Sequence, residues 1–132
     1  MIIKKLALAI IASTCVTSSL AHEVFVTADD ASGSKNQNIK IQSHHRITAT
    51  NNLNVDMTYQ YTFKLCVFGL GNVCKTETHP VTVPAHTTKE INLTLDIKGN
   101  FKQSGTYESK ALTMLEGDGG RSANAKARII VR

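Results

Sequence analysis

Tryptophan is absent, aromatic residues make up 5% of the 132, and there are only two prolines and three cysteines. A core must therefore be assembled mostly from aliphatic side chains. No apolar run approaches the roughly 20 residues that a membrane-spanning helix requires, which excludes a helical span. Nor is there a block of one charge: Lys35, Lys40, Arg46, Lys64, Lys75 and Lys89 arrive singly. That spacing argues against a surface that tracks a nucleic-acid backbone. Lys126, Arg128 and Arg132 alternate with apolar residues, as a solvated strand face does. With 19% charged residues and eight glycines, the composition is neither that of a disordered tail nor that of a collagen. The length suits one domain.

Met1 to Ala21 carries the pattern of an export signal. Lys4 and Lys5 form a positive start, Leu6 to Ala12 an apolar stretch, and Ser19-Leu20-Ala21 a small-residue cleavage site. Residues 22–132 are then expected to form a single domain, secreted or periplasmic, with 13 basic against 10 acidic side chains. Cys15 departs with the signal. Cys66 and Cys74 remain, an even pair in an exported chain, and a disulfide between them is expected. Closing so short a loop stabilises a fold by about 2.5 kcal/mol in the chain-entropy model.

The remainder reads as short strands. Val24 to Val26 opens the domain, and Asp29 to Asn38, rich in Asp, Ser, Gly and Asn, is a loop. Ile41, Ser43, His45, Ile47 and Ala49 then share one face of a strand, with a bend expected at His44-His45. After a turn at Asn51 to Asn54, Val55, Met57, Tyr59, Tyr61, Phe63, Leu65 and Val67 alternate with polar residues. Period two over that length excludes an amphipathic helix and marks a central strand. Gly69 to Asn72 reverses the chain, placing Cys66 and Cys74 on opposing strands of a hairpin. Strands ending at Val83, over Thr88 to Ile97, over Tyr107 to Leu115 and from Ala125 to Val131 complete about seven in all. The fold class is all-β, an Ig-like antiparallel β-sandwich with one hairpin disulfide.

Thr50 to Asp56, Val83 to Leu95 and Gly105-Thr106-Tyr107 resemble the turn, cross-sheet strand and tyrosine-corner region of Ig-like modules in small exported Gram-negative proteins. The resemblance is to an architecture. Antibody-type recognition does not follow from it, because there is no Trp and the cysteines lie within one hairpin.

Catalytic motifs are lacking: there is no G-x-S-x-G, no H-E-x-x-H and no phosphate-binding glycine loop. The carboxylates Asp56, Glu77, Glu90, Asp96 and Glu108 are spread along the chain with no motif that pairs them, and Glu116 to Gly120 lacks alternating calcium ligands. A non-enzymatic binding protein is expected, monomeric and without a cofactor, directed at a protein or cell-surface ligand outside the cytoplasm. Its expected contact surface is the apolar, disulfide-closed loop: Val67, Phe68, Leu70 and Val73, with Phe68 folded back as a plug and Leu70 exposed. The alternative is a copper protein. Cleavage after Ala21 would free the amine of His22 beside its imidazole, with His44, His45, His79 or His86 as the second histidine. His44 and His45 are adjacent on a strand and point to opposite faces, so only one of them can join such a site.

Overall fold

The computed structural model describes residues 20–71, 73–116 and 121–132. Apart from the backbone of Leu20 and Ala21, the expected signal lies outside the described residues, as does the tip of the Glu116 to Gly120 hairpin. No described helix is long and apolar enough to cross a membrane.

Among the described residues, eight strands form two sheets. They are β1 (Leu20–Ala28), β2 (Ala31–Gly33), β3 (Asn38–Asn51), β4 (Met57–Val67), β5 (Val73–Val83), β6 (Thr87–Asn100), β7 (Gly105–Leu115) and β8 (Ser122–Val131). One sheet has the order β1-β3-β6 and the other β2-β8-β7-β4-β5. All pairings are antiparallel except β2 with β8. This is the Ig-like sandwich that the alternation predicted. The extra strand, β2, lies inside the expected loop: the chain leaves one sheet at Ala28 and joins the other at Ala31. Asp30 anchors that crossing by accepting the Arg128 N–H at 2.9 Å.

The core lies between the sheets. Ile41, Ile47, Tyr61, Phe63, Leu65, Val67, Leu95 and Ile129 are wholly buried in it. Strand β3 runs 14 residues without the expected bend at His44-His45. The reason is that inward-facing His45 finds polar partners inside. Its Nε2 accepts from Ser43 Oγ at 2.7 Å, and its Nδ1–H donates to Thr113 Oγ1 at 2.8 Å. Thr113 Oγ1 in turn donates to the Phe25 carbonyl at 3.1 Å. Each donor has one acceptor, so a neutral ring satisfies the whole chain of bonds. Burial, with His44 nearby, lowers the His45 pKa to about 4.

Val55 was expected to be the first inward residue of β4 but is 59% exposed. The turn extends to Asp56, held by buried Asn51, whose Nδ2 donates to the Val55 and Val83 carbonyls while its Oδ1 accepts the Leu53 N–H. The tyrosine corner is present: Tyr107 Oη donates to the Gln103 carbonyl at 2.8 Å. Along the open side, lysines reach across from one sheet to the other. Lys75 of β5 donates to the Asp96 carbonyl of β6, and Lys89 of β6 to the Thr82 carbonyl of β5.

Two buried side-chain oxygens among the described residues have no hydrogen-bond partner, Tyr59 Oη on β4 and Ser109 Oγ on β7, and Ser109 is fully buried. Replacing a lone buried hydroxyl by hydrogen removes a desolvation penalty. Ser109→Ala is expected to raise stability by about 1 kcal/mol, read as a higher urea midpoint at unchanged slope.

Candidate functional site

The hairpin β4–β5 sets the site. Strand alternation turns Leu65 and Val67 into the core and Lys64 and Cys66 onto the outer face of the five-stranded sheet. Register then fixes their neighbours. Cys66 stands opposite Cys74 on β5 and opposite Lys110 on β7, while Lys64 stands opposite Leu112. Lys110 faces Lys126 on β8, and Leu112 faces Asn124. The disulfide Cys66–Cys74 is formed, linking adjacent strands across the hairpin. Cys74, on the edge strand, is exposed, whereas Cys66, with a strand on either side, is 9% exposed.

Phe68 continues this face for one more residue. Its N–H donates to the Glu108 carbonyl at 3.0 Å, extending the β4–β7 pairing past Val67. Its half-buried ring lines a shallow groove of about 380 Å³ together with Lys64, Cys66, Cys74, Lys110 and Leu112. Two ammonium groups and no carboxylate lie along the groove. Elsewhere on this face Glu116 accepts from Thr62, and Glu108, two residues from Lys110, stands opposite Arg128 in register.

This geometry corrects the expected contact loop. Val67 is buried in the core and cannot meet a partner. Leu70, expected outside, is half-buried against the core, close enough to Gly99 that a Cβ there would lie 2.9 Å from Leu70 Cδ1. Phe68, expected as the plug, lines the outer groove instead. Val73 is 41% exposed but pairs with Val67, so it belongs to the opposite face from Phe68. The four residues therefore do not form one patch. Lys64, Lys110 and Leu112 were missed, and they come from two strands whose neighbour relation only the tertiary pairing supplies.

The histidines of the copper alternative are separated. His22 lies in β1 opposite Ala49, its Nδ1 2.6 Å from Tyr61 Oη and its ring edge-on to Tyr59. Burial, with Arg121 nearby, lowers the His22 pKa, and burial pushes the Tyr61 phenol up to about 12, so a neutral phenol donates to a neutral ring. His44 is on the outer face of the same three-stranded sheet, 2.8 Å from Asp29, and His45 is inside. His79 pairs with Glu77 and exposed His86 with Asn54. Among the described residues no three His, Cys, Asp or Glu side chains are grouped to hold a metal ion.

No family model and no curated protein matches the chain. Its fold is similar to parts of solved structures at low identity. A β-glucosidase from Listeria innocua gives a TM-score of 0.45 at 10% identity over 80% of this chain, which spans 16% of that enzyme's length. The CARDB domain of the PF1109 protein from Pyrococcus furiosus, solved with di-metal ions, gives 0.40 at 8% identity, covering 84% of this chain and 96% of that one. Spo0M, a sporulation control protein from Bacillus subtilis, gives 0.34 at 15% identity, covering 85% and 49%.

Proposed function

We propose that the chain is a small exported Gram-negative binding module, non-enzymatic, that engages an acidic partner through the outer face of its five-stranded sheet. The observation that carries this reading is the groove itself: Phe68, Leu112 and the disulfide provide apolar floor, and Lys64 and Lys110 provide positive charge with no carboxylate in the lining. An acidic segment with one large apolar side chain complements both features. The signal pattern of Met1 to Ala21 and the disulfide support a site of action outside the cytoplasm.

A random peptide library displayed on phage and selected on the oxidised protein tests the reading. Selected peptides are expected to be enriched in Asp or Glu beside a Leu or Phe. Their affinity is expected to fall at least about tenfold in the Lys64→Glu, Lys110→Glu double variant, where two attractive contacts become repulsive. Selection without acidic bias, or binding that survives the double variant, overturns the proposal.

A further inference from the structure

The groove holds more than a docking surface requires, because a disulfide lies in its lining. Disulfides that only staple a fold are mostly sequestered, whereas those open to solvent and near cations are the labile ones. Here Cys74 is exposed on the edge strand, and the bond it makes lines an open groove. Lys110 stands directly opposite Cys66, Lys64 is two residues along the same face, and both line the same groove as the two cysteines. We infer that Cys66–Cys74 is a thiol–disulfide exchange site for a small thiol carrying carboxylates. The inference rests on the reading of the groove as a place for anionic ligands.

The chemistry follows from the unequal exposure of the two cysteines. An incoming thiolate attacks the sulfur of Cys74, the more exposed of the two residues. The S–S bond breaks, a new disulfide joins Cys74 to the incoming sulfur, and the electron pair of the broken bond leaves on Cys66 as a thiolate. Cys66 is the better leaving group because Lys110 is its register partner on β7 and lines the same groove, and a neighbouring cation stabilises thiolate over thiol. Return attack by Cys66 on Cys74 expels the small thiol and restores the original bond. The exchange conserves electrons and needs no separate oxidant. The same two lysines attract the carboxylates of the incoming molecule, so the charge that favours departure of Cys66 also selects an anionic nucleophile. The adduct on Cys74 would occupy the groove. Strand pairing on both sides of β4 holds the hairpin when the bond opens.

Glutathione, an anionic thiol, and cysteamine, a cationic one, are the probes. Each is incubated with the oxidised full chain, quenched with acid, and the mixed disulfide is measured by intact mass and located by peptide mapping. The glutathione adduct is expected on Cys74, forming about tenfold more slowly in the Lys64→Gln, Lys110→Gln variant than in the wild type. Cysteamine is expected to slow far less than glutathione in the variant, because relief of charge repulsion offsets the poorer leaving group. High salt on the wild type screens the same lysines without any substitution and is expected to slow glutathione alone. No adduct, an adduct on Cys66, or glutathione rates that neither the variant nor salt lowers would overturn the inference. Peptide selection is scored separately: loss of acidic bias there removes the docking reading, while the exchange rates decide this one.

Discussion

Acidification from pH 7 to pH 4 is expected to remove about 3 kcal/mol of stability through His45 alone, by proton linkage. In the unfolded chain this imidazole takes a proton near its ordinary value of 6.5, and in the fold only at about 4. Between these values the unfolded state binds more protons. The His45 contribution is therefore complete above about pH 6.5 and disappears as pH falls toward 4. Burial is the leading cause, and the hydrogen bonds explain why the shift persists. Ser43 donates to Nε2, so protonating that nitrogen would take away the acceptor of the buried Ser43 hydroxyl. His22, also lowered by burial, adds a slope of the same sign. Urea unfolding at half-unit pH intervals measures this. His45→Gln, which retains one donor and one acceptor, is expected to unfold more easily at pH 7 and to lose most of the pH dependence between 6.5 and 4. A variant with the wild-type slope would show that the acid sensitivity lies elsewhere.

Gly69→Ala is expected to cost about 3 kcal/mol, combining backbone strain with overpacking. Gly69 has a φ of 99°, where side chains are unfavourable, and a Cβ built on it would lie 2.3 Å from Cδ1 of Tyr107. The ring cannot step aside freely, since its hydroxyl is bonded to the Gln103 carbonyl and its face lies 4.5 Å from the Phe101 ring centroid. Gly71→Ala is the matched control: φ is 77°, but no atom lies within 4 Å of the added carbon. Only the conformational penalty of about 1 kcal/mol is expected there. Thermal denaturation of both variants separates the two contributions. Equal losses would mean that the Tyr107 contact is soft.

The alternation of β3, β4 and β8 was legible because one face of each strand packs on the other sheet, and the hairpin disulfide was legible because both cysteines flank a glycine turn. Strand β2 was not. Its three residues, Ala31, Ser32 and Gly33, carry no apolar pattern, and it exists because the chain must cross from one sheet to the other. Phe68 and Leu70 exchanged places for a local reason. Pairing with Glu108 carries the strand one residue beyond Val67, which sends Phe68 outward, and the unusual φ of Gly69 then returns Leu70 to the core. The unbroken course of β3 through His45 depended on Thr113, 68 residues away. The groove, likewise, is a product of β4, β5 and β7 lying side by side, and no single stretch of sequence contains it.

Lys75 and Lys89 have a consequence beyond fastening β5 to β6. An unprotected strand margin invites another chain to hydrogen-bond along it and so to propagate into fibres. Here the Asp96 and Thr82 carbonyls already receive ammonium donors from across the seam, and a visiting strand would have to strip those charges away and leave them without partners. Pro80, within β5, offers it no N–H at that position. Resistance to runaway self-assembly is thus built into the same edge strand that carries Cys74.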